Sequence, residues 1–538
     1  LSGPDDNEDT RTLQMRQLSA LDRLFLTREN PRTPAHLSAL LFYSQQTAPG
    51  GRVRLRDIVN VFAERAHAVP FLHCRVQEVP FGLDNPYWVH DKHFNVESHV
   101  NHVALPKPGD WRQLCIMAAR IHARPVDRSR PLWEATVIEG LDNIDFLPRG
   151  SFAILLKVHH AAVDGIEALK AVERLHDTAP AAVHEDAGDA RGEEGELPAG
   201  EMLARAGLHA LGTPLRWGRL AGNLLPAVAR VVAAVRGQRG ARAAGAVNTR
   251  FSGRVSSYRV VESTFFALAE LKAIRAAVPH STLNDVLVTV IGGAMRRYFQ
   301  SRGELGDVSP LTIAPVSVRE AEARELGGNM VSAMAFPIHT TIEDPLERLA
   351  AVQRDAAAAR QIAEALGPHN ALDLLEAVPP QLASLGLLEI GTRVLMAAGI
   401  AMPVNTVITS VPGPQAPLYL AGARLVTMAG FGPITDAMGL FHAVMSYDGR
   451  VSIAINSCRE MMPDPAFYAE CIVASFEALR DAAAAAKPPG AVRAKGLTKR
   501  VPARASKEAK GARKASRRAV ARRKPAVRRR DRDARARD

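Results

Sequence analysis

The chain has 538 residues, 47% hydrophobic and 23% charged, the balance of a soluble globular protein with room for two or three domains. Its four cysteines, Cys74, Cys115, Cys458 and Cys471, form no CxxC pair, which argues against a disulfide framework or a zinc ribbon and fits a reducing cytoplasm. The net charge of +12 hides two objects: residues 487–538 hold 21 Lys and Arg against 4 Asp and Glu, and the rest holds 47 against 52.

The opening LSGPDDNEDTRT is polar and acidic, so no signal peptide is expected and residues 1–14 read as a polar extension. No uncharged apolar run reaches the roughly 18 residues that would predict a membrane span. An N-terminal domain is expected over 15–177. In it, residues 19–28 form an early strand or short helix, and 54–69 and 111–123 have helical spacing. A strand starts after Pro131, the continuous apolar run at 151–158 predicts a buried central strand, and 165–177 a helix. Residues 178–250 read as an acidic linker followed by helical pieces, with arginines on an Ala/Leu/Val surface. That surface suits crossover helices packed on the body or a lipid-facing amphipathic surface.

A C-terminal domain is expected over 251–486. It opens with strand 256–268 and helix 268–278, then a longer helix from 282 capped by Ser281 or Thr282. Strands follow at 311–319, 331–339 and 405–413. Asp448-Gly449 marks a hairpin turn between two strand-like runs. A last helix near 464–482 buries Tyr468, Ile472, Phe476 and Leu479. The basic tail, 487–538, has almost no apolar bulk and no aromatic residue, so it is expected to be disordered.

The chemistry-bearing stretch is KVHHAAVDGI, residues 157–166. It falls between the apolar strand and the helix that begins near Gly165, on a loop held by rigid elements. Asp164 precedes the helix and Glu167 follows three residues later, the spacing of a capping box. Asp164 is therefore expected to shape the loop, and Gly165 to sit where a side chain would collide or the backbone needs unusual angles. His159 and His160 are adjacent, so at most one faces a given pocket. A neutral imidazole can accept a proton from a hydroxyl; the alternative for each is a hydrogen-bonded core residue. There is no HExxH frame for zinc and no G-x-S-x-G elbow for a serine hydrolase.

HHAAVDG matches the HHxxxDG signature of acyl-CoA-dependent acyltransferases. RPVDRSRPLWE (124–134), LNDVLV (283–288), PVSVR (315–319), GGNMVSAM (327–334) and NTVITSVPGPQAPLYLAG (405–422) follow in order. Together they resemble the bacterial wax ester synthase/acyl-CoA:diacylglycerol acyltransferase family from about Leu18 to about Ala484. One departure is Val411, where the family pattern leads to Asn after the Ser. The resemblance implies an α/β and α+β chain with two chloramphenicol-acetyltransferase-like domains. Each would be a mixed sheet with helices, and the active site would lie at the domain interface.

It further implies a long-chain acyl transfer from CoA to diacylglycerol or a fatty alcohol, with His160 as general base. No metal or other cofactor is expected, acyl-CoA being a co-substrate. His159, Asp164 and Gly165 complete the motif. Asn284, with Asp285 beside it, is the candidate hydrogen-bond donor or substrate-orienting group, with a helix-cap role as the alternative. Arg319 is a candidate partner for Asp164. Pro131, Leu132 and Trp133 are expected to shape the acceptor side or simply to start a core strand.

The implied acceptors are insoluble. Peripheral attachment to the inner membrane face or to lipid droplets, from the cytoplasm, is therefore expected, with the tail drawn to anionic lipid. Nucleic acid is a less favoured partner of the tail, which lacks stacking aromatics. Two alternatives stand beside this reading: a same-fold acyltransferase on another lipid or polyketide alcohol, and a non-catalytic lipid-binding homologue.

Overall fold

The computed structural model describes residues 16–181, 196–212, 247–317, 331–366 and 404–486. Most of the acidic linker, much of the stretch expected as crossover helices, Arg319, and the basic tail lie outside the described residues.

The first half folds as α1 (Ala20–Arg28), β1 (His36–Ser44), α2 (Leu55–Arg65), β2 (Cys74–Gln77), β3 (Tyr87–His90), β4 (Val100–Ala104), α3 (Trp111–His122), β5 (Trp133–Glu139), β6 (Phe152–His159) and α4 (Gly165–Arg174). The segment left open between strand and helix is helix α1. Ser19 caps it, taking the Asp22 N–H at 3.0 Å while Asp22 takes the Ser19 N–H at 3.2 Å. The same reciprocal cap, Asp110 with Gln113, starts α3. Residues 199–212 are helical.

The second half contains β7 (Arg259–Ala267), α5 (Leu268–Ala277), α6 (Leu283–Ser301), β8 (Leu311–Ser317), β9 (Val331–Pro337), α7 (Pro345–Leu366), β10 (Thr406–Pro412), β11 (Tyr419–Leu420), β12 (Ala423–Phe431), β13 (Leu440–Tyr447), β14 (Arg450–Cys458) and α8 (Pro465–Ala485). Asp448 and Gly449 have φ of 42° and 76° in the β13–β14 turn, the left-handed pair that a tight hairpin requires. Helix α8 buries Tyr468, Ile472, Phe476 and Leu479, as its spacing predicts.

Two six-stranded mixed sheets result, in the orders β11-β12-β1-β6-β5-β4 and β7-β14-β13-β10-β8-β9. Strand β6 is buried along its whole length, which is why it reads as a continuous apolar run. One feature breaks the simple division into halves. Strand β12, although late in the chain, pairs antiparallel with β1 in the first sheet, Ser38 opposite Phe431 and Ser44 opposite Arg424. Gly430 of β12 allows this. A Cβ there would meet the Met445 sulfur at 2.8 Å and Ala443 Cβ at 3.3 Å, so β12 lies directly against β13 of the second sheet. The two sheets are thus joined by a strand passed from one half to the other.

A polar seam crosses the junction beneath. His122 of α3 bonds Ser38 of β1 at 2.7 Å and Asn456 of β14 at 3.0 Å. Asn456 also donates to the Gly432 carbonyl at 2.7 Å. Each of these residues is buried and makes at least one such bond, although Asn456 Oδ1 has none among the described residues.

Candidate active site

The HHxxxDG loop leaves the end of β6 at the sheet junction. Strand β6 pairs with β1, which places His159 opposite His36. Backbone bonds then fix the two motif histidines in turn. His159 N–H donates to the Leu132 carbonyl at 2.9 Å, and His160 N–H to the Ala35 carbonyl at 2.8 Å.

The side chains part as adjacent residues must. His159 is fully buried. Its Nδ1 accepts the Ala161 N–H at 3.0 Å, which leaves the ring proton on Nε2, 3.5 Å from Glu29 Oε2. Glu29 Oε1 in turn accepts the Ala35 N–H at 3.1 Å. Burial pushes this carboxyl up, but His159 nearby, with Ala35 N–H and Arg128, holds it below the usual carboxylate range. Glu29 therefore grips His159 on one side and, on the other, the residue whose carbonyl holds His160.

His160 lies partly buried, its imidazole stacked on Phe25 of α1 with ring centres 4.1 Å apart and planes 6° from parallel. Burial lowers this imidazole below the ordinary histidine value, and the Asp164 charge offsets that only in part. At neutral pH it is uncharged, with its ring plane set by an aromatic face.

Asp164 has the structural work its position predicts. Its Oδ1 accepts the N–H groups of Ile166 and Glu167, both at 2.9 Å, capping α4. Glu167 engages Lys170 at 3.0 Å. Gly165 opens α4 against the second sheet, where a Cβ would stand 3.2 Å from Val411 Cγ2. It is the close approach, not the backbone angle, that favours glycine here. Val411 is also the position that departs from the family pattern.

Between the sheets runs an apolar cleft with a cavity of about 70 Å³. Val158 and Gly165, which bracket the motif loop in sequence, both line it. Leu156, Leu169, Thr409 and Met445 contribute further walls from both halves. Among the described residues, no charged side chain lines it.

Asn284 reaches this junction from α6. Its Oδ1 takes the Ser410 hydroxyl at 2.8 Å, next to Val411. The cap of α6 is Thr282, so Asn284 is free of that task, and among the described residues its one side-chain bond is the Oδ1 contact with Ser410. Asp285 has a different place. It is buried, and its carboxylate takes the Thr282 N–H at 2.7 Å. Leu132 and Trp133 are likewise fully buried. Trp133 pairs with Val158, donates from its indole to the Leu72 carbonyl at 2.8 Å, and stacks on Phe62 and His99. The Pro131-Leu132-Trp133 motif thus braces the strand beneath the histidine loop and does not line the cleft. Glu29, Phe25 and Ser410 were not anticipated from the sequence. The only signal for Glu29 was a lone carboxylate in the turn-rich stretch RENPRTP, residues 28–34. Among the described residues, no three His, Cys, Asp or Glu side chains are grouped to hold a metal ion.

Known proteins agree with this architecture. The family described as wax ester synthase/diacylglycerol acyltransferase catalytic domain matches residues 18–287, and the WS/DGAT C-terminal domain matches 327–480. A Mycobacterium tuberculosis (strain CDC 1551 / Oshkosh) protein named as a diacylglycerol O-acyltransferase is 31% identical over 458 residues, covering 84% of this chain and 87% of its own. One from Mycobacterium bovis is 31% identical over 484 residues, covering 87% of this chain and 100% of its own. The structure of the wax ester synthase/diacylglycerol acyltransferase from Marinobacter aquaeolei VT8 superposes with a TM-score of 0.58 at 23% identity, over 87% of this chain and 100% of that one. At that identity the likeness bears on the fold, two mixed-sheet domains with the motif at their interface. The extent of the family match and the identity to the mycobacterial proteins carry the assignment: the chain is an acyltransferase of the wax ester synthase/diacylglycerol acyltransferase family.

Proposed function

We propose that the protein transfers a long-chain acyl group from CoA to diacylglycerol, to a fatty alcohol, or to both, with His160 as general base. The observation that carries this reading is the apolar cleft at the sheet junction, bounded by residues on both sides of the His160 loop. It suits an alkyl chain, and in this proposal the reacting end of that chain meets the His160 imidazole on the loop between Val158 and Gly165. His160 removes the acceptor hydroxyl proton as the oxygen attacks the thioester carbonyl. The C–S bond then breaks, and the imidazolium returns the proton to the CoA thiolate. With both substrates held together, the step needs no acyl-enzyme. The Asn284 Nδ2 end is the candidate donor to the carbonyl oxygen as it becomes negative. A thioester is already activated, so the chemistry calls for no metal or redox cofactor.

Purified protein is tested with a radiolabelled long-chain acyl-CoA and, separately, diacylglycerol and hexadecanol. Labelled triacylglycerol or wax ester that disappears in His160→Ala supports the reading. Release of CoA with no labelled ester from either acceptor overturns it.

These acceptors live in lipid, so the protein is proposed to work peripherally at a membrane or droplet surface. No described helix is long and apolar enough to cross a membrane. The tail at 487–538, with its 21 Lys and Arg, supplies charge worth about 1 kcal/mol per basic residue near anionic lipid. Co-flotation with anionic vesicles at low salt, weakened by deletion of 487–538, is the expected result. Absence of flotation with any lipid overturns the surface role.

A further inference from the structure

The turn that mounts both motif histidines is itself fastened elsewhere. It is the stretch 29–35 between α1 and β1, where Glu29 faces His159 and the Ala35 carbonyl holds His160 N–H. The turn closes on itself. Thr33 N–H donates to the Asn30 carbonyl at 2.9 Å, and Arg32 N–H to Asn30 Oδ1 at 3.0 Å. Pro31 and Pro34 stiffen the backbone on either side of Arg32 and Thr33.

From this turn Arg32 reaches the second half of the chain. Its Nη1 donates to the Val255 carbonyl at 2.8 Å and to Asp436 Oδ1 at 3.0 Å, and its Nη2 donates to Asp436 Oδ2 at 3.3 Å. Val255 N–H donates to the same Asp436 Oδ1 at 2.9 Å, which closes a ring of three residues. The Arg32 carbonyl is held as well: buried Arg259, at the start of β7, donates to it and to the Ser256 carbonyl. Asp436 lies between β12 and β13, where the chain crosses from the first sheet to the second. One residue thus ties the mount of the histidines to that crossing through its guanidinium and its carbonyl.

The Arg32 and Asp436 side chains are 32% and 50% exposed, and an ion pair so exposed adds little to stability. Its two-pronged form instead fixes an orientation, and what it orients is the site. His160 is held by the first half, whereas Asn284, the candidate carbonyl donor, belongs to α6 of the second. We propose that Arg32, clamped by Asp436 and Val255, is a positioning residue that sets His160 against the second half of the site. The inference rests on His160 acting as the base. A reacting group misplaced by about 1 Å can cost as much as about 10²-fold in rate.

The test uses the full chain with labelled acyl-CoA. Arg32→Ala should lower kcat by about tenfold or more, with KM for acyl-CoA and the unfolding midpoint little changed. Arg32→Lys, which keeps the charge but not the planar fork, should fall between wild type and Arg32→Ala. Asp436→Asn keeps an acceptor for Val255 N–H and should lower kcat less than Arg32→Ala does. The double variant, Arg32→Ala with Asp436→Asn, should be no slower than Arg32→Ala alone, since the two act through one contact. The lysine and asparagine variants also cover the case in which Arg32→Ala fails to fold. A readout independent of turnover is the NMR signal of the His160 ring in histidine-labelled protein, assigned with His160→Ala. That signal, set by the stacked Phe25 ring, should move in Arg32→Ala. If wild type forms no ester from either acceptor, the acyl-transfer reading fails and the His160 signal alone decides the clamp. An unchanged kcat, a raised KM alone, an unmoved His160 signal, or losses that add in the double variant would overturn the proposal.

Discussion

The polar seam between the sheets and the HHxxxDG loop use the same side chain to opposite ends. Two buried histidines, His122 in the seam and His442 within the second half, have both ring nitrogens bound by neutral partners. His122 sits between Ser38 and Asn456. His442 sits between Thr406 at 3.1 Å and Tyr468 at 2.8 Å. Burial pushes both down to about 3. Such an imidazole holds elements together and has no nitrogen to lend. His159 is held differently, its Nδ1 bound by the Ala161 N–H and its Nε2 facing the Glu29 carboxylate at 3.5 Å. His160 is also kept neutral by burial, but a stacked ring and a backbone bond hold it, on the loop whose flanking residues Val158 and Gly165 line the cleft. Burial keeps His122, His442 and His160 neutral alike; under the proposed mechanism, what would separate a base from a strut is a ring nitrogen not already committed to a neighbour.

The sharpest way to break this comparison is to remove each ring. His160→Ala should lower turnover by about 10²–10⁴-fold, the contribution of a positioned base, with thermal unfolding little changed. The same change at His442 should instead lower stability. A single-turnover rate that is equal in wild type and His160→Ala would remove the base assignment. The acid limb of kcat/KM should fall below the ordinary histidine pKa of about 6.5, since the His160 value is lowered by burial.

Stability should respond to acid in the same range for a different reason. His122 and His442 at about 3 and His176 at about 4 refuse protons when folded. The unfolded chain binds them near pH 6.5. Their contribution is complete above that value and is lost as pH falls toward the folded values, at up to about 1.4 kcal/mol per pH unit for each group. Denaturant midpoints between pH 7 and pH 5 measure it. A flat profile would mean that the seam is open to water.

Asp164 tests the frame of the loop. Asp164→Leu removes the acceptor of two helix N–H groups and should cost about 1–2 kcal/mol with loss of activity; Asp164→Asn also caps and should keep the fold. A leucine variant as stable as wild type but inactive would point to a direct role in the chemistry. Glu29 tests the coupling of the two histidines. Glu29→Gln can still accept the Ala35 N–H but loses the charge facing His159. We expect kcat to fall by roughly tenfold, about 1.4 kcal/mol, with KM little changed. A change in KM alone would place Glu29 in substrate binding.

Much of this site could be read before folding because it is local. A cap depends on residues two and three positions away, so Asp164 was legible. A buried central strand shows in its own composition, and Asp448-Gly449 announces its turn. Asn284 could be singled out, but its contact with Ser410, 126 positions away, could not. Phe25 and Glu29 were hidden for the same reason, each meeting the motif across more than a hundred residues of chain. The passing of β12 into the first sheet leaves no local mark either, since an alternating strand reads alike in either sheet. Asp285 and Trp133 show the converse. Their motifs are conspicuous in the sequence, yet their side chains are spent on a cap and a core.

The smallest expected effect concerns the seam nearest the loop, where Gly165 meets Val411. Alanine at the first turn of α4 should favour the helix by up to about 1 kcal/mol. Its Cβ would press on Val411 Cγ2 at 3.2 Å, closer than easy packing, so the gain and the strain should nearly cancel. Gly165→Ala alone should therefore move stability by only a few tenths of a kcal/mol. In a Val411→Ala background the strain is gone and the helix gain should appear. The cycle should then show a coupling of at least about 0.5 kcal/mol, the size found for residues in contact. Strict additivity would mean that the two halves do not touch here. Coupling would show that the α4 start is seated against β10, and that the apolar residue at position 411 sets how closely the halves approach beside His160.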